Sequence, residues 1–128
     1  MHKTRLRALS CALPAALAVA AFGAAPTAVA SGPVAHAAKT CSDPHYPGQG
    51  YFTRLTVSGT SCSNGKKVAV AHYKCRTAHG KTGHCKRRVL GYSCKEGARQ
   101  SVPGVEYNAK VSCRNGSRRV VFFYQQNL

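Results

Sequence analysis

Lysine and arginine recur in short clusters along the C-terminal two-thirds of the chain: Lys66-Lys67, Lys74 with Arg76, Lys81, Lys86-Arg87-Arg88, and Arg114 with Arg118-Arg119. Set against only three acids, Asp43, Glu96 and Glu106, the 19 Lys and Arg give a formal net charge of +16. Chemistry available to such residues is positive potential rather than shape-specific recognition. Matching partners are phosphate-bearing polymers: cell-wall teichoic acids, anionic lipid headgroups or extracellular nucleic acid. Tyr73, Tyr92 and Phe123 add stacking wherever they are exposed. The plain alternative is a solvated surface whose charge only keeps the protein in solution.

Histidine and cysteine gather at His72, Cys75, His79, His84 and Cys85. No pair has the Cys-x2-Cys spacing of a structural zinc site, so the sulfurs are expected to form disulfides, with no metal and no cofactor. Three carboxylates supply a two-carboxylate glycosidase poorly, and no G-x-S-x-G elbow is present. Small secreted ribonucleases offer an analogy of architecture, with Glu106, His72, Arg119 and Tyr124 as conceivable participants and a solvated Glu–Arg cross-strand pair as the plain reading. The expectation is that there is no catalytic site. A further alternative is an inhibitor or binder of a secreted enzyme, presenting the basic loop Thr77 to Lys86 with Lys81 or Arg87 as the recognised residue.

A hairpin supplies the frame for these side chains. Asn115-Gly116 is a strong two-residue turn signal. Before it, Val105, Tyr107, Ala109, Val111 and Cys113 alternate with polar residues, the period of a half-buried strand. With Asn115-Gly116 as the loop, Val111 faces Val120, Ala109 faces Phe122 and Tyr107 faces Tyr124. An earlier strand, Tyr51 to Ser58, is expected to turn Tyr51, Thr53, Leu55 and Val57 to one side. Thr60 or Ser61 can cap a helix running to about Arg76, because Cys62, Gly65, Val68, Ala69, His72 and Cys75 fall at helical spacing. A strand is the rival reading there, since Val68 to Ala71 tolerates period 2 and Gly65 weakens a helix. Val89 to Lys95 reads as another strand, with Leu90, Tyr92 and Cys94 on one face, and Gly97 to Gly104 as a connector. Gln125 to Leu128 reads as a frayed end. The order β-α-β-β-β implies an α+β domain, one helix packed on a small antiparallel sheet.

The N-terminus reads as an export signal over residues 1–30. His2 to Arg7 is a positive n-region, Leu13 to Ala25 an apolar h-region too short to span a membrane, and Ala28-Val29-Ala30 a small-x-small cleavage site. A second such site, Ala35-His36-Ala37, follows closely. Residues 31–40 read as a flexible tail and residues 41–128 as the domain. Loss of Lys3, Arg5 and Arg7 leaves 16 cations against the three acids, a net charge of +13. Loss of Cys11 leaves six cysteines: Cys41, Cys62, Cys75, Cys85, Cys94 and Cys113. A mature chain of about 90–100 residues has a marginal core, and an even cysteine count in such an exported chain implies a disulfide framework. Six cysteines allow 15 pairings and the sequence does not select one; the expected elements suggest Cys75–Cys85, Cys94–Cys113 and Cys41–Cys62. No other segment is long and apolar enough to span a membrane. A secreted or cell-wall-associated monomer is the expected form.

The succession GTSCSNGKKVAVAHY, RRVLGYSC and KVSCRNGSRRVVFF resembles a set of small secreted cysteine-containing proteins of high-GC Gram-positive bacteria. In this resemblance, which runs from Cys41 to the C-terminus, Cys41, Cys62, Cys94 and Cys113 match the recurring cysteines. Cys75 and Cys85 look like an addition. The resemblance implies the fold and the export and transfers no site residue.

Overall fold

A computed structural model describes Gly32 and residues 35–128. The signal-peptide reading of residues 1–30, with Cys11, lies outside the described residues.

The hairpin of Glu106–Asn115 and Arg118–Asn127 is the centre of a six-stranded antiparallel sheet. In chain order the elements are β1 (Lys39–Thr40), β2 (Gly50–Ser58), α1 (Cys62–Thr77), β3 (Ser93–Glu96), β4 (Gln100–Val102), β5 (Glu106–Asn115) and β6 (Arg118–Asn127). The strands lie in the order β1-β2-β6-β5-β3, and β4 pairs with β5 beyond the end of β3. The helix packs on one face, which gives the expected disulfide-stapled α+β fold.

The hairpin turn falls one residue later than expected. Asn115 pairs with Arg118, so Gly116-Ser117 is the two-residue loop. Gly116 has φ +58° and takes the first central position, where a type II′ turn requires glycine. Moving the turn by one residue moves each partner by two. Val111 therefore faces Phe122, Ala109 faces Tyr124, Tyr107 faces Gln126 and Cys113 faces Val120. A shift of two keeps every side chain on its own face, so the six residues expected to be inward are all buried. Strand β6 also runs on to Asn127, with Gln126 buried, where the sequence suggested fraying.

Strand β2 breaks the simple alternation. Thr53 pairs with Phe123 and Thr56 with Val121, so Arg54 and Leu55 together oppose Phe122. This is a β-bulge, with Arg54 at φ +54°, and the extra residue inverts the phase. Phe52, Leu55 and Val57 are buried, while Tyr51 is 49% exposed and Thr53 half-buried. On the outer edge of β2, the Leu55 N–H donates to Asp43 Oδ1 at 3.0 Å and its carbonyl accepts from Cys41 N at 2.8 Å. Residues Lys39–Thr40, at the end of the expected tail, pair with Val57 and Thr56.

Ser61 caps α1, its side chain accepting from Asn64 N at 3.1 Å. Gly65, Val68, Ala69, His72 and Cys75 form the buried stripe, as the spacing implied. Gly65 is there for closeness: a Cβ would lie 2.5 Å from Val57 Cγ1. Glycine weakens helix propensity by about 1 kcal/mol, but here it lets the helix sit directly on β2. The stretch before β3 is a tight turn, not a strand. Val89 and Tyr92 exchange backbone hydrogen bonds of 2.9 and 2.8 Å, with Leu90 at φ +48° and Gly91 at φ +81°. Leu90 is thereby turned out, away from buried Tyr92.

Three disulfides join Cys41–Cys62, Cys75–Cys85 and Cys94–Cys113. They tie the N-terminal loop to the helix start, the helix end to the loop after it, and the directly opposed positions of β3 and β5. Such crosslinking fits an oxidising compartment. Among the described residues no helix is long and apolar enough to cross a membrane.

Candidate functional site: an unpaired cationic surface

The eleven basic residues singled out by clustering do not share one environment. Lys67 and Lys74 stand exposed on the outer side of α1; Lys66 is half-buried and donates to Ser42 Oγ at 2.7 Å. Lys81, Lys86, Arg87 and Arg88 are exposed in the segment between α1 and β3, where Arg88 also donates to the Gly91 carbonyl. Arg114, Arg118 and Arg119 are exposed at the β5–β6 turn.

Arg76 is the correction. It is 1% exposed and belongs to the interior. Its Nη1 donates to the Lys81 carbonyl at 2.8 Å and to the Tyr107 hydroxyl. Its Nη2 donates to the Tyr46 hydroxyl at 2.8 Å and to Gln126 Oε1 at 3.0 Å. The guanidinium carbon lies 4.4 Å from the Tyr124 ring centroid, within cation–π range. Neutral dipoles and ring faces surround this charge, with no carboxylate in salt-bridge distance among the described residues. Burial pushes the Tyr46 phenol up to about 12, against the pull of Arg76, and raises Tyr107 and Tyr124 as well. Tyr46 and Tyr107 therefore stay protonated, as the bonds they donate to Gln126 Oε1 and the Lys81 carbonyl require.

The three acids are all engaged elsewhere. Asp43 holds the Leu55 N–H, Glu106 accepts from Gln125 Nε2, and Glu96 pairs with Arg99 at 2.5 Å. His84 Nδ1 lies 3.6 Å from the same Glu96 oxygen. Among the described residues these Glu96 contacts are the only ion pairs, so the exposed cations of α1, the loop and the hairpin turn face solvent without carboxylates. Arg114 and Arg119 are direct cross-strand partners. Like charges placed opposite each other destabilise a sheet. A bound anion would relieve that repulsion.

The conceivable ribonuclease group is not assembled. Glu106 pairs with Asn127 at one end of the hairpin and Arg119 with Arg114 near the other, roughly 25 Å apart at the rise of a strand. His72 and Tyr124 are buried on the opposite, helix-facing side. His72 packs edge-on against Phe122 at 5.7 Å, and burial, helped by the charges of Arg76 and Arg99, lowers it to about 4 despite Glu96. The Cys75 and Cys85 sulfurs of the expected His/Cys cluster are bonded to each other.

The loop considered for enzyme inhibition is anchored inward. Arg76 and Tyr107 take the Lys81 carbonyl, and Arg99 takes those of Thr82 and Gly83 at 2.6 Å each. A substrate-like inhibitor must offer its backbone at the recognised residue to the enzyme; the Lys81 carbonyl is already occupied, while Arg87, the other candidate, stands exposed.

Two features escaped the sequence reading. The first is Arg99, which sits in a bulge where Gly97, Ala98 and Arg99 oppose Ala109 and Lys110, and which organises Glu96, His84 and the loop. The second is a cationic aromatic site on the outer sheet face: Arg54 lies 4.9 Å and Lys110 5.9 Å from the Phe123 ring centroid. Alternation already put Lys110 and Phe123 outward; only the bulge brings Arg54 to them. Of the other rings considered for stacking, Tyr73 is half-buried against Tyr46, and Tyr92 is buried with its hydroxyl accepting from Asn64 Nδ2 at 2.8 Å.

No protein-family model, no curated protein and no solved structure matches the chain.

Proposed function

We propose that this is a secreted, monomeric, non-catalytic cationic domain that binds anionic polymers of the envelope or the extracellular space by electrostatics, and that it belongs with the small secreted proteins of high-GC Gram-positive bacteria that its sequence resembles. The observation that carries the reading is the opposed pair Arg114–Arg119, flanked by Arg118, with no carboxylate in salt-bridge distance among the described residues. An arrangement that costs stability in the free protein is relieved by an anion. Binding residues are Lys66, Lys67, Lys74, Lys81, Lys86, Arg87, Arg88, Arg114, Arg118 and Arg119, with Arg54 and Lys110 added and Arg76 withdrawn.

Charge-driven binding weakens steeply as salt rises, because the counterions that binding releases from the polymer gain less entropy on entering a saltier solution. Retention on heparin and on a phosphorylated polymer should fall linearly in a log–log plot against salt. The triple variant Arg114→Ser, Arg118→Ser, Arg119→Ser should elute earlier with a shallower slope. Retention indifferent to salt would contradict the reading.

A further inference from the structure

Leu90 is a large apolar side chain turned mostly to solvent from a backbone conformation unusual for leucine. It is 58% exposed, the highest exposure among the large hydrophobic residues described. Its φ of +48° is a conformation that glycine or asparagine adopts far more readily. The turn around it is nonetheless fixed, by the reciprocal Val89–Tyr92 hydrogen bonds, by Arg88 on the Gly91 carbonyl, and by buried Val89 and Tyr92 on either side. The leucine side chain is thus held out on a rigid support.

Its neighbours are of two kinds. Val70 and Ala71, half-buried on the flank of α1, continue the apolar surface from Leu90 into a groove of about 440 Å³, which Lys66, Lys67 and Lys74 also line. The second large apolar projection, Val102 and Val105 about Pro103-Gly104, adjoins Glu106 rather than a row of cations. The combination at Leu90, an apolar tip sharing one groove with three lysines, matches a surface that is anionic outside and hydrocarbon within. A hydrophilic polyanion offers the lysines a partner and Leu90 none.

We propose that this face docks on an anionic phospholipid surface, with the Lys66, Lys67 and Lys74 ammonium groups at the headgroup phosphates and Leu90 inserted among the upper acyl carbons. This deepens the polyanion reading and rests on it for the charge; Leu90 adds a contribution that salt does not screen.

The test compares vesicles of phosphatidylcholine alone with vesicles containing phosphatidylglycerol, by co-sedimentation at several salt concentrations, alongside heparin retention. Leu90→Gly keeps the turn, since glycine favours this φ, and removes the apolar tip. It should lower partition onto phosphatidylglycerol vesicles about tenfold, the scale of one partly buried leucine, with heparin elution unchanged. Lys67→Gln with Lys74→Gln should lower partition about fivefold per lysine removed. Because the chain has no tryptophan, Leu90→Trp supplies a single reporter, whose emission should shift to the blue with phosphatidylglycerol vesicles. Equal partition of Leu90→Gly and the parent protein, or an unshifted Leu90→Trp emission on vesicles that bind, overturns the proposal. So does heparin retention without vesicle binding, which leaves the charge reading standing. Failure on both heparin and vesicles removes both.

Discussion

Arg76 and Arg119 carry the same guanidinium into opposite surroundings. Arg76 lies inside, with a carbonyl, two phenols, an amide oxygen and an aromatic face around it. Arg119 lies outside, directly across from another arginine. Among the described residues neither has a carboxylate in salt-bridge distance. The difference is that folding supplies partners to both terminal nitrogens of Arg76, leaving only its Nε without one, whereas nothing within the described chain satisfies Arg119. One is a structural cation and the other an available one, and a count of positive residues does not separate them.

The largest effect should come from removing the interior charge. Arg76→Met strips partners from the Lys81 carbonyl, the Tyr46 hydroxyl and Gln126 at once, and should lower unfolding free energy by about 3–4 kcal/mol, at about 1–3 kcal/mol for each buried polar group left short of a partner. Arg119→Met should stay within about 0.5 kcal/mol of the parent. Urea unfolding of the two variants tests the contrast directly; equal losses would erase it.

Acid should attack the same interior. His72 is lowered to about 4 when folded, against about 6.5 in an unfolded chain. The unfolded state thus binds the extra proton first. The stability owed to neutral His72 is complete above pH 6.5 and is lost as pH falls toward 4, on the order of 3 kcal/mol in all. The groups facing it are Glu96, which favours protonation, and Arg76 and Arg99, which oppose it. Thermal melting at pH 7 and pH 4.5 should show the loss, and His72→Gln should flatten it.

Next in size is the Cys75–Cys85 bridge, which closes a separation of 10 residues. Replacing both cysteines by alanine should cost about 2–3 kcal/mol and loosen the Lys81 carbonyl from Arg76. Hydrogen exchange should then quicken in residues 77–88 while the β5–β6 hairpin stays protected. The smallest effect sharpens the exterior side. Arg114→Glu turns the opposed arginines into an attractive pair and should raise stability by about 0.2–1 kcal/mol, yet heparin elution should move to lower salt. A gain in stability with a loss of binding is the signature of residues placed for a partner.

Local pattern carried much of this fold. The alternation of β5, the helical spacing from Cys62 to Cys75 and, to within one residue, the hairpin turn were legible, and the expected elements suggested the three bridges that form. What escaped depends on distant chain. The bulge at Arg54 is visible only against Phe122 on β6. Arg76 looked like one more member of a basic cluster because Tyr46, Tyr107 and Gln126 stand 30, 31 and 50 residues away. The turn at Leu90 read as strand because leucine is common in strands and rare at positive φ. Gly65 argued against a helix until Val57 showed what its missing side chain makes room for. The exposed part of the candidate site was legible as charge, but which cations remain unpaired was settled by where three carboxylates went.

The two outer borders of the sheet bear on what would follow if the proposed binding brought many copies onto one anionic chain. One border is covered by two residues, Lys39–Thr40; the other is broken between Glu96 and Gln100, with Lys95 and Arg99 close to the gap. Short, interrupted, positively charged borders are poor templates for strand addition between molecules. Dense loading should therefore yield discrete folded units strung along the scaffold, free of the fibrillar growth that crowding provokes in proteins with long open borders.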